Sequence, residues 1–289
     1  MWRAHHGSKQ FTDKQKQGEY TDVHVFLNSI KSYKNMFPVS DVWLVWDKRL
    51  DYPAPNPRRE LQESYKEGRD KSAAVNVFEH GSVIENLLAQ IGVRNFFPKK
   101  LEADDCIAWL SRKLPESVIF TSDSDMLQLV SEKVSYYSLT KKKLINLENF
   151  EDIHGCTPEE YVVYKCALGD TSDKIQGIPG FGKKKSLNVA KQYGKVNLPN
   201  EQLKIIEENL KMIDLRNNNF IDDDEGQCYK DQYKTLLGLS PDFTGFQTSL
   251  KNMGLRTHLK NINEWKNLFE TTSHTSLTDV LSQLDIFSK

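Results

Sequence analysis

Carboxylates recur in four short motifs along this chain. They are Asp47 at the end of an apolar run, Glu102, Asp104 and Asp105 at a predicted helix start, Asp123 and Asp125 after a second apolar run, and Asp170 and Asp173 after Gly169. Each motif alone has a structural explanation, because Asp and Glu are common in helix caps and first helical turns. Together, however, clustered carboxylates repel one another unless a cation compensates them. Oxygen ligands without His or Cys favour Mg²⁺ or Mn²⁺, and two such ions commonly catalyse phosphodiester hydrolysis.

A basic segment from Arg58 to Arg69 follows the first carboxylate. If this segment is helical, Tyr65, Lys66 and Arg69 lie on one face, because positions three and four apart are neighbours on a helix. Such a face suits phosphate neutralisation and base stacking. The alternative is a solvated helix, since acidic residues interleave with the basic ones.

A glycine-rich segment follows the last carboxylates. It nearly matches a phosphate-binding P-loop, but Lys184 occupies the required Ser or Thr position and no strand precedes the segment. We therefore interpret it as a tight turn that opens a helix, whose free N–H groups and lysines would hold a DNA backbone phosphate. The residues concerned are Gly177, Gly180, Gly182, Lys183, Lys184 and Lys185.

Apolar periodicity predicts the elements that position these motifs. Helices are predicted at 20–37 and 75–91, and strands at 42–46, 93–97 and 118–121, the first of them buried on both faces. Alternation of strands and helices predicts an α/β fold with a parallel sheet, in which the carboxylates lie beyond the strand ends. Helices dominate after residue 155, at 161–168, 184–193 and 201–215. We therefore predict a core domain over 1–155 and a helical domain over 156–289.

Composition limits the remaining function classes. No apolar run in the 289 residues approaches the length of a membrane span, and no secretory signal is visible. The four cysteines lack CxxC spacing, which argues against zinc and disulfides and suits a reducing cytosol. Lys and Arg number 39 against 40 Asp and Glu. Setting the eight motif carboxylates aside leaves 39 − 32 = +7, which is compatible with a polyanionic substrate.

Taken in order, these motifs resemble the 5′-nuclease (flap endonuclease) family. That family includes the 5′→3′ exonuclease domain of bacterial DNA polymerase I and the exonuclease and ribonuclease H proteins of tailed phages. The resemblance implies a PIN-like parallel-sheet nuclease core flanked by helices, with a helix-two-turn-helix subdomain. It implies a monomeric enzyme that removes RNA primers and 5′ flaps from branched, nicked or RNA-primed DNA in the cytoplasm, or in the host cytoplasm if phage-encoded. A replication clamp or a single-strand-binding protein would be its protein partner.

The resemblance also assigns roles to residues. Asp47, Glu102, Asp104 and Asp105 match ligands of a first Mg²⁺, and Asp123, Asp125, Asp170 and Asp173 match residues linked to a second, with Mn²⁺ able to substitute. Lys66 and Arg69, with Tyr65 beside them, match the basic pair that contacts the scissile phosphate from a helical arch. Arg58 matches an arginine at the base of the arch, and Arg3 lies in a segment that matches a DNA-contacting one. The glycine turn matches the helix-two-turn-helix, which in some relatives also binds K⁺.

The chain departs from the family pattern at its start. The family begins with an apolar strand that ends in a metal-binding Asp, whereas Met1 here falls after that strand, and Lys48 replaces a usual Gly. A buried five-residue strand contributes about 10 kcal/mol, against a total stability of about 5–15 kcal/mol. We therefore expect a longer natural product.

Two other functions stay open, a catalytically impaired DNA-junction binding protein and a PIN-class single-strand ribonuclease. The histidines show no ligand spacing, and residues 222–224 are predicted to form a solvated loop.

Overall fold

The computed structural model describes residues 19–37, 41–51, 56–67, 80–217 and 219–270, which form two compact units. The described residues of the first unit come from Met1–Leu44, Asp70–Phe96 and Asp231–Lys289, and those of the second from Val45–Arg69 and Phe97–Lys230. The predicted division into a core domain over 1–155 and a helical domain over 156–289 stays a prediction.

Helices make up most of the described part of the first unit. Helix α1 (Thr21–Met36) buries Val23, Phe26 and Leu27 on one face, as its apolar spacing predicts. It is followed by α3 (Gly81–Gln90), and at the C-terminal end by α10 (Phe243–Asn252), α11 (Arg256–Lys260) and α12 (Ile262–Glu270). The predicted helices at 20–37 and 75–91 are thus confirmed where they are described, and residues 71–79 lie outside the described residues.

Five strands of three to five residues form two separate sheets in the described part of the chain. Strand β1 (Trp43–Val45) pairs with β2 (Arg94–Phe96), while β3 (Ser117–Thr121), β4 (Val134–Ser138) and β5 (Lys143–Ile145) form the second sheet. Strands β3 and β4 are parallel, with Ile119 opposite Tyr136, and β5 runs antiparallel to β4.

The predicted strands therefore exist, but two predictions about them are wrong. The side chains of β1 are half-buried rather than buried on both faces. The second sheet contains β4 and β5, which the sequence analysis did not predict, and it is mixed rather than purely parallel. Strand β4 is the central strand of this sheet because it pairs with both β3 and β5. All five of its residues are buried.

The second unit continues with helices that pack on the mixed sheet and on one another. They are α4 (Ala103–Lys113), a 3₁₀ helix (Ser124–Leu129), α5 (Leu147–His154), α6 (Pro158–Leu168), α7 (Lys183–Gln192), α8 (Asn200–Ile213) and α9 (Asp223–Leu237), the last of which extends beyond the unit. Local sequence sets the start of α6, because Thr157 caps it, Pro158 occupies its first position and Glu160 completes a capping box. Helices α7 and α8 both pack against α6, around a core of Val162, Cys166 and Ile206.

A short hairpin joins α6 to α7. It consists of β6 (Gly169–Asp170) and β7 (Ile175–Gln176), which pair antiparallel. Gly169 has φ +78°, and a Cβ placed on it would lie 2.3 Å from the backbone nitrogen of Gly177. A Cβ on Gly177 would in turn lie 2.3 Å from Leu168. Both positions therefore require glycine because main chain meets main chain there.

Two predicted segments differ from the structure. Helix α2 spans only Arg58–Leu61, and residues 63–67 form a turn, so residues 58–69 are not one helix. Lys66 has φ +55°, which is incompatible with a continuing right-handed helix. Asp223 and Asp224 lie in the first turn of α9 rather than in a loop. Negative side chains are favourable there, because they lie at the positive end of the helix dipole.

The four cysteines are free thiols in this structure, and Cys106, Cys156 and Cys166 are buried. Among the described residues, no helix has the length and apolar character that crossing a membrane requires.

Candidate active site

A polar pocket lies in the second unit, where the start of α4, the 3₁₀ helix and the β6–β7 hairpin meet. Five of the eight predicted carboxylates line it, namely Glu102, Asp104, Asp125, Asp170 and Asp173. Arg58, Tyr65 and Lys165 add polar groups, and Ile175, Met212, Ile213 and Leu215 complete the lining. The chain thus brings three of its four acidic motifs together, as the positions at helix starts and strand ends predict.

Glu102 stands at the start of α4 and is surrounded by donors. Its carboxylate accepts hydrogen bonds from Lys66 Nζ at 2.6 Å and from Tyr65 Oη at 3.0 Å, and Arg58 Nη1 lies 3.6 Å away. Burial opposes ionisation of Glu102, but the charges of Lys66 and Arg58 outweigh it and lower the pKa. Glu102 is therefore held as an anion.

Tyr65 is buried, with 4% of its surface exposed, and it packs against the core of α6, α7 and α8. Burial, followed by the charge of Glu102, raises the pKa of its hydroxyl well above the ordinary value. The prediction that Tyr65 shares an exposed face with basic groups and stacks on bases is therefore wrong for this structure. Its side chain supports Glu102 instead.

Arg58 forms the most enclosed ion pair of the site. Its guanidinium donates to both oxygens of Asp105 at 2.8 and 2.7 Å, donates from Nε to Met212 O at 3.1 Å and lies over the ring of Phe220. Arg58 and Asp105 are 2% and 6% exposed. Burial lowers the pKa of Arg58, but the hydrogen bonds and charge of Asp105 outweigh it and raise the pKa. The Arg58 guanidinium is thus turned into the protein, and its predicted role in DNA binding at the base of the arch stays a prediction.

Asp104 lies among other carboxylates, and the charge of Lys66 offsets theirs only in part. Burial raises its pKa to about 8, and the charges of Asp123 and Glu102 add to this effect. Within the described part of the chain, the structure gives Asp104 no hydrogen bond or ion pair. Its neighbours therefore repel its negative charge, and a bound cation would relieve that repulsion.

Lys165 connects two of the remaining carboxylates of the pocket. Its Nζ lies 2.8 Å from Asp125 Oδ1 and 3.5 Å from Asp170 Oδ2. Burial lowers the pKa of Lys165, but Asp125 and Asp170 outweigh it and raise the pKa. Asp170 also accepts hydrogen bonds from Ser172 N and Oγ at 2.8 and 2.6 Å, which fix the hairpin turn. Lys165 was missed in the sequence, although it lies one helical turn before the Gly-Asp motif.

Three predicted ligands lie outside the pocket lining. Asp123 is exposed and caps the 3₁₀ helix by accepting from Asp125 N at 2.9 Å, and Asp105 is engaged by Arg58. Asp47 follows β1 and is exposed, and it is absent from the groups that line the pocket. Strands β1 and β3 belong to different sheets, so their ends do not share one sheet edge. Arg3 and Arg69 lie outside the described residues.

The donor set can be tested against a divalent ion. Within the described ranges, no three Asp, Glu, His or Cys side chains are assembled closely enough to hold a metal. Lys66, Lys165 and Arg58 instead neutralise the carboxylates around the pocket. The donors are oxygen atoms, and the partly compensated Asp104 lies among them. Their chemistry therefore fits Mg²⁺ or Mn²⁺, with the lysines as counter-charges that ions would replace.

The glycine turn leads into α7, as predicted. Gly182 caps this helix, Gly180 has φ +74°, and no atom lies within 4 Å of a Cβ placed on either glycine. The three lysines at 183–185, called the lysine triplet below, are exposed in the first turn of α7. Exposed lysines thus stand beside the free N–H groups of a helix start, and their role in DNA binding stays a prediction.

Comparison with known proteins identifies the family. A family model described as 5′-3′ exonuclease, N-terminal resolvase-like domain, matches residues 1–155, more than half of the 289-residue chain. The chain belongs to this family. The resemblance seen in the sequence motifs is thereby confirmed.

Two relatives show how much of this chain aligns with other members of the 5′-3′ exonuclease family. The 5′-3′ exonuclease of Halalkalibacterium halodurans is 32% identical over 181 residues, which are 60% of this chain and 58% of the relative. The 5′-3′ exonuclease of Mycoplasma pneumoniae is 32% identical over 200 residues, which are 63% of this chain and 67% of the relative. The first match thus spans less than two thirds of the relative's length.

The bacteriophage T5 flap endonuclease, solved as a complex with DNA and metal ions, has the same fold. Its TM-score is 0.62, with 20% identity and coverage of 77% of this family member and 93% of the T5 chain. This likeness confirms the predicted α/β, PIN-like nuclease fold. The family and the fold together favour a nuclease over an impaired junction-binding protein.

Proposed function

We propose that this chain is a metal-dependent, structure-selective 5′-nuclease that hydrolyses branched, nicked or RNA-primed DNA during replication. The observation that carries the proposal is the pocket of five carboxylates, in which burial, Asp123 and Glu102 raise the pKa of Asp104 to about 8 although Lys66 opposes them. A protein maintains such repulsion where a cation from outside completes the site. The proposed reaction is hydrolysis, with no protein nucleophile.

The ions are assigned to carboxylates on two sides of the pocket. Glu102 and Asp104 would hold a first Mg²⁺ or Mn²⁺, and Asp125, Asp170 and Asp173 a second. Asp47, Asp105 and Asp123 complete the proposed ligand set from outside the pocket lining. Two divalent ions in such a site lower the pKa of bound water and stabilise the charge that develops on the phosphate oxygens.

Basic side chains of this chain would neutralise the negative charge of the DNA phosphates. Lys66 Nζ lies 2.6 Å from Glu102 with 21% of the side chain exposed, so it is able to turn toward a DNA phosphate. Together with Arg69, it would contact the scissile phosphate. Tyr65 would support this arrangement, because its hydroxyl donates a hydrogen bond that holds the Glu102 carboxylate in place.

The lysine triplet and the glycine turn would hold duplex DNA away from the pocket. The first N–H groups of α7 and three exposed lysines provide donors and positive charge for backbone phosphates, which carry no sequence information. K⁺ would bind within the same turn. The T5 relative was solved with DNA and metal ions, which supports both parts of the proposal.

The proposed setting is replication in the cytoplasm, or in a host cytoplasm if the chain is phage-encoded. The chain would act as a monomer, recruited by a replication clamp or a single-strand-binding protein.

Cleavage of a 5′-labelled flap duplex tests the proposal. We expect cutting with Mg²⁺ and none with EDTA, and at least about a hundredfold loss in Asp104→Asn. Asp152→Asn, an exposed aspartate of α5, is the matched control and should stay within twofold. Cutting that survives EDTA, or an Asp104→Asn variant as active as the control, would contradict the metal site. A wild-type chain that shifts the flap in a gel without cutting it would indicate a junction-binding protein instead.

A further inference from the structure

The C-terminal end of α8 and the residues that follow it line the pocket with apolar side chains, and side chains from three segments of the second unit bond to their backbone. Arg58 Nε donates to Met212 O at 3.1 Å, Gln128 Nε2 donates to Ile213 O at 3.2 Å, and Arg112 Nη1 donates to Leu215 O at 3.3 Å. The last carbonyls of a helix have no partner within the helix, so outside donors can bond to them. Met212 and Ile213 lie in the last turn of α8, and Leu215 follows the helix by two residues.

Each of these three segments also carries a carboxylate of the proposed site or binds one. Arg112 lies on α4, whose start bears Glu102 and Asp104. Gln128 lies on the 3₁₀ helix that also bears Asp125. Arg58 holds Asp105. The end of α8 is therefore a common anchor for chain segments that are far apart in sequence.

A fourth bond connects the same helix to the hairpin. Asn209 Nδ2 donates to Cys166 O at 2.9 Å and to Gln176 O at 2.8 Å. Cys166 precedes the β6–β7 hairpin, and Gln176 ends it. Through this amide, α8 is also bonded to the segment that places Asp170 in the pocket.

Gln128 makes the most specific of these contacts. Only 2% of its surface is exposed, and its amide bonds at both atoms, since Oε1 also accepts from Leu215 N at 2.9 Å. It lies three residues after Asp125 within one short helix, so movement of Gln128 would rotate Asp125. An apolar side chain there would leave Ile213 O and Leu215 N buried without this partner, which is unfavourable.

We propose that Gln128 is a positioning residue that fixes Asp125 for metal binding by clamping the 3₁₀ helix to the end of α8. This inference rests on the proposed function, because it requires that Asp125 binds a divalent ion. Groups that orient metal ligands typically change metal affinity by about 10–100-fold when removed.

Mn²⁺ binding without DNA, followed by electron paramagnetic resonance, tests the inference in the full chain. Gln128→Met keeps the length of the side chain and removes both hydrogen bonds, and we expect it to weaken Mn²⁺ binding about tenfold or more. Flap binding in EDTA should stay unchanged, because the lysine triplet is untouched. Gln90→Met, which removes an amide that bonds Ser249 in the other unit, should leave Mn²⁺ affinity at the wild-type value.

A second variant separates positioning from general destabilisation. Ile206→Ala creates a cavity in α8 without removing a hydrogen bond and should lower the unfolding midpoint at least as much as Gln128→Met. Wild-type Mn²⁺ affinity in Gln128→Met, or an equal loss in Ile206→Ala, would overturn the inference. A wild-type chain that neither binds Mn²⁺ nor cuts DNA would overturn the proposed function, and the inference with it.

Discussion

The pair between Arg58 and Asp105 makes a sharp prediction about stability. Arg58→Met preserves most of the side-chain volume but removes two hydrogen bonds of 2.8 and 2.7 Å from a carboxylate that is 6% exposed. A buried charge left without its partner typically costs 3–5 kcal/mol. Since a domain is stable by about 5–15 kcal/mol, we expect Arg58→Met to remove about a third or more of the stability of the second unit.

The double variant Arg58→Met/Asp105→Leu provides the internal control. It removes both charges, so no carboxylate is left stranded, and replacing a buried pair by apolar groups is often nearly neutral. We therefore expect the double variant to be more stable than Arg58→Met alone, although Arg58 also bonds Met212 O. If the loss of unfolding free energy in the double variant equals the sum of the losses in the two single variants, the two residues are not coupled and the reasoning is refuted.

Urea unfolding followed by tryptophan fluorescence measures these differences, because Trp46 and Trp109 both belong to the second unit and are buried. The same variants separate two roles of Asp105. If Asp105 serves the fold through Arg58, Asp105→Leu in the Arg58→Met background should leave Mn²⁺ affinity unchanged. A loss of less than about 1 kcal/mol in Arg58→Met, with Mn²⁺ binding abolished by Asp105→Leu, would show that Asp105 is chiefly a metal ligand.

Three further predictions follow from other parts of the chain. His258 is 2% exposed and burial lowers its pKa to about 4, so stability is complete above its unfolded pKa of about 6.5 and is lost as pH falls toward 4. His258 alone should contribute a loss of about 2 kcal/mol at pH 5 relative to pH 8 in urea unfolding. His258→Gln should remove this contribution and leave those of His24 and His154, whose pKa values burial also lowers. Gly169→Ala should lower the unfolding free energy by about 3 kcal/mol or more, because its Cβ would lie 2.3 Å from a backbone nitrogen. Gly194→Ala, which has φ +73° but open space, should cost about 1–2 kcal/mol, and equal losses would refute the role of close contact. The logarithm of the duplex-binding constant falls linearly with the logarithm of the salt concentration. Replacing the three lysines at 183–185 by alanine should make this slope shallower by about 2–3, whereas alanine at the equally exposed lysines of residues 141–143 should change it less.

The sequence predicted the pocket correctly where local rules decide the position of a side chain. Glu102 and Asp104 lie at a helix start, and Asp125 follows a strand, as the apolar pattern indicates. Elements that begin and end at one side of a domain bring such groups together, so spacing alone was sufficient. Asp47 does not line the pocket, because β1 and β3 belong to different sheets and pairing between strands is not encoded within either strand; its role as a ligand stays a prediction.

Long-range contacts explain the other errors. The segment after Arg58 has helical spacing, but Lys66 N donates to Asp173 O at 3.3 Å and Gln62 Nε2 donates to Lys174 O at 2.7 Å. These bonds to the distant hairpin stabilise a turn in place of a helix, because tertiary contacts override weak local preference. Gln128 was invisible for the same reason, since its partners lie 85 and 87 residues away.

The contact between Gly169 and Gly177 has a consequence for where a substrate would be cut. Asp170 follows the first glycine, and the turn that leads to the lysine triplet follows the second. The two glycines meet main chain to main chain, so no room is left for a side chain between the acidic pocket and the basic helix start. A side chain at either glycine would therefore shift the acidic pocket relative to the basic helix start, and under the proposed function it would change where a strand is cut as well as how fast.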